Sequence, residues 1–214
     1  MAVKTYSLKK DGNKKLSENF SVKEFRCKDG SDKILVDEKL VKLLQKMRDK
    51  FGVIIITSAY RTKSYNKKVG GVSDSQHLYG YAADIKIRKT SELLKAAQYA
   101  EKIGFGGIGL DNKYQMFLHL DTRKNKSYFR YYSNGSSYSV ASFFTTLKSG
   151  SQGENVKALQ KKLSGLGFKG KDGNELSVDG IFGSNTEYAV KNYQKSKNLT
   201  ADGIAGPKTL ASLT

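Results

Sequence analysis

The chain has only two histidines, His77 and His119, and each is set among carboxylates. In SQHLYGYAADI, His77 falls in a loop and Asp84 on the strand that follows. In FLHLD, His119 and Asp121 are two residues apart on another strand. Side chains two apart on a strand share a face, so one face of a small sheet could gather two imidazoles and two carboxylates. Two histidines and a carboxylate, with one position left for water, make a catalytic zinc set, because Zn2+ takes nitrogen and oxygen ligands tetrahedrally and the open position holds the nucleophile. A second candidate for chemistry is the single cysteine, Cys27. Unpaired, it forms no internal disulfide. A nucleophilic role beside a histidine is conceivable, but a free cysteine ordinarily serves as a small buried apolar residue.

The elements that must carry these residues are legible from periodicity. Leu40, Leu44, Met47 and Phe51 recur at helical spacing after Asp37, and Gly52 stops that helix. The run VIIIT from Val53 to Thr57 reads as a buried strand. Leu93, Ala97, Ala100 and Ile103 mark a second helix ending at Gly104. Shorter strands are expected at Tyr81 to Ile87, Gly106 to Leu110, Met116 to Asp121 and Ser127 to Tyr132, the last followed by an Asn134-Gly135 turn. Such an order of strands and helices predicts an α+β domain with a small antiparallel sheet.

The polar, glycine-rich segment KSGSQG, residues 148–153, separates this region from one of different texture. The predicted organisation is therefore a first domain over 1–147, a linker over 148–153 and a second domain over 154–214. The second contains a quasi-repeat, DGIFGSNTEYAV from Asp179 and DGIAGPKTLASL from Asp202, sharing D-G-I-x-G-x-x-T. Each copy reads as a tight turn entering a helix, with Ser184 or Asn185 as a cap in one and Pro207 at the first helical position of the other. Val156, Leu159 and Leu163 form one helical face before them. A compact three-helix domain is expected.

Composition narrows the classes. With 38% hydrophobic and 27% charged residues the chain is globular rather than disordered, and no apolar run approaches the roughly 18 residues of a membrane span. The N-terminus lacks the apolar core of a secretory signal peptide. The net charge of +18 implies an anionic partner. From Ser149 onward there are nine Lys/Arg and six Asp/Glu, or +3, which leaves 18 − 3 = +15 on the first part. No nucleic-acid-binding motif accompanies that charge, so nucleic acid is not expected as a partner.

Residues Ser75, His77, Gly80, Ala82 and Asp84 spell S-x-H-x-x-G-x-A-x-D. With SAYR at Ser58 to Arg61 and HLD at His119 to Asp121, the region from about Ser17 to Arg123 resembles the D-alanyl-D-alanine carboxypeptidase-like zinc peptidases. The stretch from Ser149 to Thr214 resembles peptidoglycan-binding modules through Gly153, Val156, Leu159, Gln160, Leu163, the two DGI turns, Thr186, Tyr193, Gln194, Thr209 and Leu213. The first resemblance implies His77, Asp84 and His119 as zinc ligands and Arg61 as the cation that holds a substrate carbonyl or carboxylate, a role its fork suits. It also implies Ser75 as a substrate contact. Many relatives carry an acidic base three residues before the second histidine, where this chain has Met116. Asp121 is the expected base in its place, with orientation of His119 as its competing role and Asp111 as the next carboxylate to consider.

Together these resemblances imply a zinc-dependent peptidase acting on the stem peptide or cross-bridge of bacterial peptidoglycan, in the manner of a phage or prophage endolysin released through a holin. Peptidoglycan, with teichoic acids as a further anionic partner, and a monomeric state are expected. Trimming of terminal D-alanine by a carboxypeptidase and non-catalytic wall binding are the alternatives.

Overall fold

The computed structural model describes residues 2–140 and 142–213. The chain divides into two compact units, Met1–Ala141 and Ser142–Thr214. Leu147 belongs to the second, since it exchanges both backbone hydrogen bonds with Ala205 at 3.1 and 2.8 Å.

The first unit begins with strand β1 (Val3–Ser7) and a single helical turn, α1 (Leu8–Asp11). β1 pairs antiparallel with β2 (Lys33–Asp37) in a two-stranded sheet. Asp37 ends β2 and caps helix α2 (Glu38–Phe51), accepting from the Lys39 N–H at 3.3 Å. Gly52 stops α2 with φ 73°, as its position after Phe51 predicts. β3 (Ile54–Ser58), the short α3 (Lys63–Lys68), β4 (Ala82–Ile87) and α4 (Leu93–Ile103) come next. β5 (Gly107–Asp111), β6 (Phe117–Asp121), β7 (Ser127–Tyr131) and β8 (Ser137–Val140) complete the unit.

β3 to β8 form a six-stranded sheet in the order β3-β4-β6-β5-β7-β8. All neighbours are antiparallel except β5 and β7, which run parallel. One face is apolar: Ile85, Ile108, Leu118 and Leu120 are fully buried, as are Leu93, Ala96, Ala97 and Ala100 of α4. The alanines let α4 lie close to the strands, and this burial of apolar area stabilises the sheet.

The opposite face carries the polar residues. In register across it lie Ser58, Asp84, His119, Gly109, Phe129 and Ser139, one from each strand. Beside this row lie Ala82, Asp121, Gly107 and Ser127. The two glycines of β5 are needed there. A Cβ on Gly107 would sit 2.1 Å from Asp121 Oδ2, and one on Gly109 would sit 2.4 Å from the Phe129 ring.

The second unit contains α5 (Glu154–Gly165), α6 (Ser184–Ser196) and α7 (Pro207–Leu213) around Val156, Leu163, Phe182, Ala189, Val190, Tyr193 and Ala205. Pro207 opens α7 as expected. Neither Ser184 nor Asn185 caps α6, however, since Gly183 is its N-cap. Asn185 instead accepts from the Lys171 N–H at 3.1 Å and donates to Asp172 at 3.1 Å, tying the preceding turn.

The quasi-repeat has a physical basis in two buried glutamines. The two N–H groups of the Gln160 amide are shared among Asp179, the Ile181 carbonyl and Thr186 at 2.8, 3.0 and 3.0 Å, while its carbonyl accepts from the Gly180 N–H at 2.9 Å. Gln194 makes the same set with Asp202, Ile204, Thr209 and Gly203, at 2.8, 3.0, 3.1 and 2.9 Å. Each glutamine thus satisfies a D-G-I turn and the first turn of the next helix, which a buried amide requires.

Candidate metal centre

His77 does not lie on a strand. It sits in a 3-10 turn, Gln76–Tyr79, closed by Gly80 at φ 74°. A Cβ on Gly80 would lie 2.5 Å from the Leu35 carbonyl oxygen, so only glycine meets both the left-handed backbone and the contact. The turn is anchored on both sides, by the Arg61 N–H to the His77 carbonyl at 3.1 Å and by the Asp37 N–H to the Gly80 carbonyl at 2.9 Å. β3 supplies the remaining geometry. Its register slips between Ile56 and Ser58, and Thr57 donates to the Asp84 carbonyl at 3.0 Å. Such a bulge re-aims the residues beyond it, and Arg61 returns to Asp84, its Nη2 2.6 Å from Oδ2, while its Nε donates to Ser58 at 2.9 Å.

Three ligand atoms converge here. His77 Nε2 and His119 Nδ1 are 3.2 Å apart, and Asp84 Oδ1 lies 3.3 Å from the former and 2.9 Å from the latter. One atom from each residue falls within 4.8 Å of the others. The outer ring nitrogens fix the tautomers. His77 Nδ1 faces the Ala59 carbonyl at 2.6 Å, which only accepts, so that nitrogen carries the proton and Nε2 presents a lone pair. His119 Nε2 faces Asp121 Oδ2 at 3.0 Å. Asp121 is fully buried. Burial favours its neutral form, yet the bonds from His119 and Arg123 outweigh this and hold its pKa at about 2, so it accepts and His119 Nε2 donates.

The inner atoms are therefore two lone pairs and a carboxylate oxygen pointing at one another, an arrangement that calls for a cation between them. The electrostatics agree. Burial opposes charge on His119, but Asp121 and Asp84 outweigh it and push its pKa up to about 9. Burial lowers the pKa of His77. Burial raises that of Asp84, but the two histidines outweigh it and the carboxyl is depressed well below the usual range. Two imidazoles with outer nitrogens held by a carbonyl and a carboxylate, plus one carboxylate, match the donor set and supporting shell of a zinc site.

The expected base does not face this junction. Asp121 lies on the far side of the His119 ring, gripped by Arg123, whose Nε is 2.8 Å from both carboxylate oxygens and whose Nη2 is 2.5 Å from Oδ2. The HLD spacing correctly puts both side chains on one face, but the imidazole stands between Asp121 and the ligand atoms. Asp111 is also committed, accepting from the N–H groups of Lys113, Tyr114 and Gln115 at 3.1, 2.8 and 2.9 Å. It caps the turn from β5 to β6, where Met116 takes a left-handed φ of 54°. Ser75, 9% exposed, starts the His77 turn and lines the cavity that holds the trio.

That cavity, about 560 Å3, is lined by Arg61, Asp74, His77, Asp84, His119 and Tyr131 among others. Burial first, and then the Asp84 charge, raise the Tyr131 pKa, so its hydroxyl stays protonated. A second cavity of about 350 Å3 adjoins it, sharing Arg61, Asp84, Gln115 and Phe117 and adding Lys28 and Lys86. Asp74, Gln115, Tyr131 and the two lysines carry no periodic or motif signal that could have marked them in the sequence. Cys27 is buried and accepts from the Thr62 N–H at 3.4 Å, a packing role.

Parts of the chain match known families and proteins in sequence. Residues 18–121 match the Peptidase M15 family and residues 152–213 match the family described as “Putative peptidoglycan binding domain”. The chain is 47% identical over 64 residues to a zinc D-Ala-D-Ala carboxypeptidase of Streptomyces albus G, covering 30% of this chain and 24% of that protein. It is 40% identical over 80 residues to the N-acetylmuramoyl-L-alanine amidase CwlL of Bacillus licheniformis, covering 37% and 21%. Among solved structures, the endolysin of the Burkholderia phage AP3 shares 41% identity over 33% of this chain and 25% of that one, with a TM-score of 0.30. The chain thus spans only about a quarter of the length of these relatives.

Proposed function

We propose that this chain, a Peptidase M15 domain followed by a peptidoglycan-binding domain, is a zinc-dependent peptidase that hydrolyses an amide bond in the stem peptide or cross-bridge of the bacterial cell wall. The observation that carries the reading is the convergence of His77 Nε2, His119 Nδ1 and Asp84 Oδ1, with both outer imidazole nitrogens already donating. The residues that would hold zinc are His77, Asp84 and His119. The chemistry it supplies when bound is Lewis acidity, which polarises a peptide carbonyl and acidifies water.

The chain's own residues do the rest. Arg61, fixed by Asp84 and Ser58, presents the remainder of its guanidinium to the substrate carbonyl, and Ser75 offers a polar contact on the cavity wall. Tyr131, kept protonated, is a donor for charge developing on that oxygen. Asp121 orients His119 and selects its tautomer rather than taking a proton from water. The peptidoglycan-binding domain keeps the peptidase on an insoluble substrate and raises its effective concentration there. The +15 charge of the first part adds attraction to phosphate polymers such as teichoic acids, weakened by salt.

Purified peptidoglycan digested with metal-loaded, chelator-stripped and His77→Ala protein tests this, with fragments read by mass spectrometry. New amino termini from the loaded protein alone are expected. Equal cleavage by all three would refute the zinc reading. A D,D-carboxypeptidase is the second reading, favoured by the Streptomyces relative's name, and loss of terminal D-alanine without cross-bridge cleavage would select it.

A further inference from the structure

The two cavities that meet at Arg61 and Asp84 differ in charge. The larger has Arg61 and Arg123 against Asp74 and Asp84, 2 − 2 = 0. The smaller has Lys28, Arg61 and Lys86 against Asp84 alone, 3 − 1 = +2. The Asp84 charge is already engaged by Arg61 and the two histidines, so it does not neutralise the lysines. Neither lysine forms a salt bridge among the described residues.

Both lysines are exposed but stand on anchored backbone. Lys86 follows Asp84 by two residues on β4 and shares its face. Lys28 lies between two pinned neighbours: Cys27 accepts from the Thr62 N–H at 3.4 Å, and Asp29 accepts from the Thr62 hydroxyl. Two residues upstream of Thr62, the Tyr60 N–H donates to the Phe25 carbonyl at 3.1 Å. The loop carrying Lys28 is thereby fixed to the segment that delivers Arg61.

We propose that this lobe is a specificity subsite in which Lys28 and Lys86 bind a carboxylate of the substrate, next to the bond held over His77, Asp84 and His119. It rests on the peptidase reading and gives it a polarity: the anionic end of the stem peptide lies toward Lys28 and Lys86, and the uncharged end toward Asp74 and Ser75. An ammonium group meeting a carboxylate makes a charge-assisted bond, here at the open mouth of the lobe, where both lysines are exposed. A carboxylate on the stem peptide has two sources, its C-terminus or a side chain.

The experiment uses the full chain and four stem-peptide fragments: free acid, C-terminal amide, side-chain amide and fully amidated. Lys28→Ala, Lys86→Ala and the remote Lys46→Ala on α2 are compared with wild type. Turnover is followed together with calorimetric binding of the same peptides, so a chain that binds without cutting still reports on the lobe while telling against the peptidase reading. The expected result is about a tenfold rise in KM, or in Kd, for the free acid with each lobe variant, unchanged kcat and unchanged Lys46→Ala. The amide that abolishes the difference between wild type and variants identifies which carboxylate is bound. Equal loss in all three variants, removed by salt, would mean diffuse attraction and overturn the proposal, as would wild-type indifference to amidation.

Discussion

Gly107→Ala tests how tightly packing behind the site is coupled to His119 and the metal binding proposed for it. Its Cβ would lie 2.1, 2.4 and 2.5 Å from Asp121 Oδ2, Cγ and Oδ1, so the carboxylate has to retreat by about 1.4 Å to restore ordinary contact distances near 3.5 Å. It is not free to retreat. Arg123 grips both oxygens, and His119 Nε2 holds Oδ2 at 3.0 Å. Overpacking of a well-filled site costs about 1–3 kcal/mol. Loss of the carboxylate that orients a ligand histidine weakens metal binding by about 10- to 100-fold. The expected outcome is a stable but softened protein, with zinc affinity lowered by one to two decades in a competition titration and the melting temperature lowered in parallel. Gly165→Ala is the control, because nothing lies within 4 Å of its added Cβ. A Gly107→Ala protein with wild-type zinc affinity and stability would show that the Gly107–Asp121–His119 contact is slack and refute the coupling.

Asp121→Asn should lower zinc affinity by about 10- to 100-fold yet keep near-normal turnover when saturated with metal; a hundredfold loss of turnover at full loading would restore Asp121 as the base. Asp111→Ala leaves three N–H groups of the β5–β6 turn without their acceptor, and a loss of about 1–3 kcal/mol in denaturant titration is expected, with zinc stoichiometry unchanged. Gln160→Ala and Gln194→Ala each remove the buried amide that braces a D-G-I turn. Each should destabilise the second unit by about 2–4 kcal/mol, read as a shifted unfolding midpoint, and unequal effects would contradict their equivalence.

The main helices are legible in the sequence because Leu40, Leu44 and Met47 bury an apolar face with a clear period, whereas the run from Val53, expected as a buried strand, forms the edge strand β3 with Ile54 buried and Val53 and Ile55 exposed. β1 is not legible, since VKTYS is only half apolar and its partner β2 lies about 30 residues on. α3 escapes for the same reason: KSYNKK buries only Asn66. That His77, Asp84 and His119 come together is legible in part: the strand pattern puts Asp84 and His119 on one face, while His77 reaches them from a 3-10 turn that only the motif marks. Which side of the His119 ring Asp121 occupies is not, because spacing fixes the face of a strand and not the order of groups standing on it. The glycines of β5 are readable as strand residues, but their reason lies in Asp121 and Phe129, which approach from other strands.

The paired glutamines also say where the second unit tolerates change. From Gln160 to Asp179 is 19 residues, and from Gln194 to Asp202 is 8, so the first half holds 19 − 8 = 11 residues that its twin does without. Much of that surplus is the small loop pinched by the bridge between Lys169 and Glu175, whose residues Lys171 to Glu175 are exposed. A frame that closes identically with or without this loop offers an engineering port, where an epitope, a fluorophore or a second recognition peptide can be grafted while both glutamine-braced turns keep their form.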